Sequence, residues 1–161
     1  MPEVFALPPA MRVDGLVAVK RPVILHAFTR EILMRGFPTP QATPAEIARP
    51  ADACLGALVR ALGAAPPDDR QKLDLASDYA QQRIRLGYDL RALLTEFGVL
   101  RAIVLDALAG PASSTDVTQR VADFLHDVMV EAAIQLTHRA SGRMPITSAL
   151  TPGLASVRAT R

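Results

Sequence analysis

Apolar residues recur at intervals of three and four along most of this chain, the spacing that gathers side chains on one face of an α-helix. The clearest stripe starts at Leu90 and runs through Leu93, Leu94, Phe97, Leu100, Val104, Leu105 and Leu108, a helix of about five turns. A second, from Asp116 to Arg139, carries Val117, Val121, Phe124, Leu125, Val128, Ala132 and Leu136. Between Arg70 and Leu86 the inward set is Leu73, Ala76, Tyr79, Ala80 and Ile84. From Ala51 to Leu62 it is Leu55, Leu58, Val59 and Leu62. A first segment from Met11 to Arg35 shows the period clearly only after Pro22, through Val23, Ala27, Phe28, Glu31 and Ile32. Pro22 there either kinks a helix or opens its second part.

The breaks between stripes carry helix start and stop signals. Thr43-Pro44-Ala45-Glu46 is a capping box with proline in the first turn, and Pro50 is expected to split this segment into a short turn and a helix from Ala51. Residues 36–40, 63–69 and 110–114 supply the Gly, Pro and Ser of connecting loops. Gly87 suits a left-handed helix end, and Asp89 and Ser114 or Thr115 suit N-caps. No strand series and no internal repeat is visible. The pattern predicts an all-α domain of about five main helices over residues 11–140, in an antiparallel bundle or a globin-like packing. An irregular leader at 1–10 and a flexible C-terminal tail at 141–161 flank it.

The junction at Gly87 lies inside the most distinctive stretch, Arg83 to Arg101, R-I-R-L-G-Y-D-L-R-A-L-L-T-E-F-G-V-L-R. Written as R-x3-G-[FY]-x-L-x2-L-L-x-E-[FY]-x2-L-R, it resembles the N-terminal domain of the RsbT co-antagonist RsbRD, a helical module also found in bacterial sensor histidine kinases. Arg83, Gly87, Tyr88, Leu90, Leu93, Leu94, Glu96, Phe97, Leu100 and Arg101 occupy the marked positions, and a weaker likeness runs from about Val19 to Ala140. The resemblance implies a module placed before a transmitter such as a kinase core or a STAS domain. No such segment follows Ala140, so output is expected to come from another protein.

Within this signature Arg83, Gly87, Tyr88, Glu96 and Arg101 are the candidate structural or partner-contact residues. Glu96 and Arg101 are five residues apart, about 140° around a helix, and should not pair with each other. Arg83 is the expected partner of Glu96, in an inter-helix ion network.

A chain of 161 residues with 50% hydrophobic content supports one compact domain. At 4% aromatic residues and no Trp, its core must rest on aliphatic side chains, with Phe28, Phe97 and Phe124 as large fillers. The net charge of +2 is dispersed, without the basic tract that nucleic-acid binding uses. Cys54 is the single cysteine, which excludes an internal disulfide and any CxxC site and fits a reducing cytoplasm. No signal-peptide pattern and no run of about 18 apolar residues argues for membrane insertion.

Catalytic signatures are absent: there is no GxxxxGK[ST], GxGxxG or GxSxG. His126 and His138 stand about 18 Å apart along one helix and cannot share an ion there. His126-Asp127 matches only the first two residues of a kinase phosphoacceptor box. These observations predict a non-enzymatic sensory or regulatory module of bacterial signal transduction, acting by protein–protein contact and needing no cofactor or metal. A sensor kinase or an anti-sigma pathway protein is the expected partner. The alternatives are a globin-like small-molecule or cofactor binder using His126 or His26, and a histidine phosphotransfer protein. The broad apolar arc of the last helix predicts a homodimer through the first or last helical segment, with Leu125, Met129 and Leu136 as the candidate face.

Overall fold

The computed structural model describes residues 12–36, 42–63, 66–109 and 114–142. Five helices account for nearly all of them: α1 (Val13–Met34), α2 (Pro44–Leu62), α3 (Asp69–Arg85), α4 (Leu90–Leu108) and α5 (Thr115–Ala140). The fold is all-α. The leader and most of the tail lie outside the described residues.

Four of the five helix starts are fixed by side chains that accept from otherwise unpaired N–H groups. At α2, Glu46 N donates to Thr43 Oγ1 at 3.3 Å while Thr43 N donates to Glu46 Oε2 at 2.9 Å; that backbone bond, and then one from the Thr43 hydroxyl at 2.8 Å, hold the Glu46 carboxyl below its ordinary range. Asp68 and Gln71 make the same reciprocal pair at α3. Asp89 accepts from Ala92 N at 2.7 Å and Ser114 from Val117 N at 3.3 Å.

Proline does not divide the chain as expected. α1 passes through Pro22, and α2 runs unbroken through Pro50 to Leu62.

The helices close around one core that includes Phe28, Ile47, Leu55, Leu58, Phe97, Leu100 and Leu125. α1 lies on α2 and α4, α5 lies on α3 and α4, and α2 reaches α3 and α5. Short connections do not simply set neighbours: α3 and α4 are joined by four residues, yet the main partner of α3 is α5. Arg21 of α1 clasps α2 through Asp52, with Nε 2.6 Å from the carboxylate and Nη2 2.9 Å from the backbone carbonyl. Lys20 donates to the Ala107 carbonyl at the end of α4.

Three residues expected inside are exposed: Val23 at 70%, Leu73 at 47% and Leu94 at 41%. Val23 stands beside Ile24 on a helix with apolar residues on both faces, so its period does not say which face is inner. Ile24, Phe28 and Ile32 take the core.

Cys54 is fully buried, and burial pushes its thiol up to about 12. A disulfide reagent such as DTNB should therefore leave the native chain unlabelled at pH 8 and react only on unfolding. Labelling at the rate of a free thiol would show that α2 opens locally.

Candidate functional site

The signature residues converge where α3 ends and α4 begins. Gly87, at φ 77°, adopts the left-handed conformation that closes α3: its N–H donates to Ile84 O and the Tyr88 N–H to Arg83 O, both at 3.0 Å. This is the paired bonding of a Schellman end. It brings Tyr88 back over the residue that starts the motif, with the Arg83 guanidinium carbon 5.2 Å from the Tyr88 ring centre. The two residues that usually make an apolar contact across such a turn here make a cation–π contact.

Arg83 and Glu96 are both fully buried. Glu96 Oε1 accepts from Arg83 Nε at 2.9 Å, from Arg83 Nη2 at 2.7 Å and from the Tyr79 hydroxyl. Tyr79 also packs its ring on Phe97, centroid to centroid 4.6 Å, and faces the guanidinium at 5.1 Å. Tyr88 completes the cluster through a hydroxyl that interacts with Glu96. Burial first, and then the negative charge of Glu96, hold both phenols above their ordinary value.

The rest of the Arg83 fork points to α2. Nη1 donates to Glu46 O at 3.0 Å and Nη2 to Ile47 O at 2.8 Å. Glu46 is four residues before Pro50, which has no N–H to return, so its carbonyl has lost its helical donor. Arg83 supplies one from another helix. That is how α2 continues through Pro50, which is itself buried. The sequence held a signal for this, a proline four residues after a first-turn carbonyl, but not the identity of the donor.

Arg101 is not part of the cluster. It is exposed on α4 and joins no ion pair among the described residues. The candidate dimer face is also revised. Leu125 and Leu136 are 1% and 3% exposed and belong to the core, and Met129 is only half-buried. The broad arc of α5 is spent on α3, α4 and α2 together.

Among the described residues, two apolar surfaces remain outside. One is the outer face of α1, with Val19 at 68% and Met34 at 74% beside Val23. The other is a groove of about 320 Å³ between α4 and α5, lined by Leu90, Leu94, Met129, Val130, Ile134 and His138. His26 and His126 are exposed. No three His, Cys, Asp or Glu side chains among the described residues are grouped to hold a metal ion.

With this geometry in view, comparison with known families gives one match: the model of the RsbT co-antagonist protein RsbRD N-terminal domain fits residues 24–142. The chain belongs to that family. No curated protein and no solved structure matches it. The match spans α2 to α5 and the second half of α1, and so contains the whole Arg83–Glu96 cluster of this RsbRD N-terminal-type domain. None of its described helices is long and apolar enough to cross a membrane.

Glu96→Ala strands the buried guanidinium and should cost about 3–5 kcal/mol in denaturant unfolding. An unchanged midpoint would remove the cluster from the account of stability. Replacing Arg83 by Met should cost less in a Pro50→Ala background, by about 1 kcal/mol, because an alanine in place of the proline returns the missing N–H to Glu46 O. Additive losses would show that Arg83 does not serve the proline gap.

The two tyrosines are the only ones in the chain, so phenolate absorbance reports on this cluster alone. A phenol raised by folding contributes stability that is complete below about pH 10, the unfolded value, and is lost as pH rises through the folded one. Phenolate absorbance and helical circular dichroism should therefore change together in one alkaline transition. Phenolate forming while the helices persist would show that solvent reaches the cluster.

Proposed function

We propose that this domain is a non-enzymatic regulatory module of bacterial signal transduction that works by protein–protein contact and forms a homodimer through the outer face of α1. Family membership supports a regulatory role in partner switching, with a sensor kinase or an anti-sigma pathway protein as the transmitter. The polar cluster supports the non-enzymatic reading, because its charged groups are committed to one another and to backbone carbonyls and lie sealed from solvent.

The observation that carries the dimer is the surface of α1. Val17, Ile24, Phe28 and Ile32 are buried on one side, while Val19, Val23 and Met34 are among the most exposed apolar side chains on the other. These three share one side of α1 with the exposed His26 and Arg30, and exposed apolar side chains grouped in this way mark an interaction face. Such a face is most simply covered by its own copy across a two-fold axis.

Sedimentation or light scattering at micromolar concentration should show a dimer. Val23→Glu should convert it to a monomer with an unchanged helical spectrum, since Val23 makes no part of the core. A wild-type chain that stays monomeric under these conditions sinks the dimer.

A further inference from the structure

The groove between α4 and α5 lies apart from the dimer face just described, and its chemistry calls for a different occupant. Its walls are two short apolar rails. Leu90 and Leu94, each 41% exposed, stand one turn apart on α4; Val130 and Ile134, each 42% exposed, stand one turn apart on α5. Exposed leucines and isoleucines paired at this spacing across a channel match the ridges of a third helix laid between them.

Gly98 extends the α4 rail by one more turn. It is exposed in the middle of a helix, where glycine is less stable than alanine. A Cβ there would meet nothing within 4 Å, so nothing in the chain itself requires glycine. An exposed glycine leaves the α4 backbone open to a closely approaching neighbour.

Exposed charge elsewhere on the same two helices decides which neighbour. Arg91 and Arg101 are both exposed on α4 and neither joins an ion pair among the described residues, and His126 and His138 are exposed on α5. Of the nearby acids, Asp127 faces Lys72 on α3 and Asp89 sits at the N-terminus of α4, where the helix dipole offsets its charge, which leaves Asp123, bonded to the neutral Gln119 amide. A second copy of this face would add two more unpaired arginines to the interface and only Asp123 to balance them, which disfavours association.

We propose that the α4–α5 groove binds an amphipathic helix of a partner protein, with apolar residues at i, i+3 or i+4 and i+7 seated between the rails and acidic residues on its flanks facing Arg91 and Arg101. This rests on the reading of the chain as an interaction module but not on its dimerising through α1.

The test uses the full chain, immobilised, and a display library of 18-residue amphipathic helices whose flanks are randomised between acidic, neutral and basic residues. Selected peptides should carry acidic flanks. In fluorescence anisotropy their affinity should fall at least tenfold with Ile134→Glu and with Arg91→Glu combined with Arg101→Glu, and fall steeply with added salt. Gly98→Ala should raise the melting temperature of the free chain yet weaken the peptide, an opposed pair that a folding defect cannot produce. Selection of neutral or basic flanks, no enrichment, or equal binding to Ile134→Glu overturns the proposal. So does a chain whose own dimer dissociates with Ile134→Glu and survives Val23→Glu, because the groove would then be the self-association face.

Discussion

A carboxylate sealed inside an apolar core must be met by donors or it destabilises everything around it. In this domain the carboxylate is Glu96, and the requirement organises three helices. Arg83 answers it with two N–H groups and Tyr79 with its hydroxyl. The guanidinium is then equally buried and needs acceptors for its other protons, which it finds in the α2 carbonyls next to Pro50. Each partner removes a problem that another creates. The cluster also ties α3 to α4, which are consecutive in sequence but are not major packing partners.

That arrangement explains why the most distinctive part of the sequence is also the least accessible. Side chains bound to one another in this way are poor catalysts and poor contacts for outside molecules. Their work is to set the angle at which α4 leaves the Gly87 turn. That angle positions Leu90 and Leu94, and so one wall of the groove. The buried cluster thereby bears on the shape of a surface several residues away. α4 stands between the two exposed apolar surfaces, packed on α1 along one side and on α5 along the other.

Much of the fold was legible from period and punctuation. The caps at Thr43, Asp89 and Ser114 were readable because each uses a local bond three residues long. The Arg83–Glu96 pair was readable because both residues belong to the same signature, while the helix period rules out Arg101 as the partner of Glu96. What misled was breadth. The apolar arc of α5 looked like an excess available to a partner, whereas three neighbouring helices consume it and leave Leu125 and Leu136 in the core. α1 presented the reverse case, a helix whose two apolar faces gave no sign of which one was inside.

By itself, then, the sequence determined the elements and the local caps that start most of them, since those depend on interactions within a few residues, but it misplaced a boundary at Pro50. Only the tertiary structure decided which helices meet, because packing depends on the joint shape of several faces that no single stripe describes. It alone showed that Arg83 completes α2 across Pro50, a bond between residues 36 and 37 positions apart. It alone separated the apolar residues that build the core from those that remain for another molecule to cover.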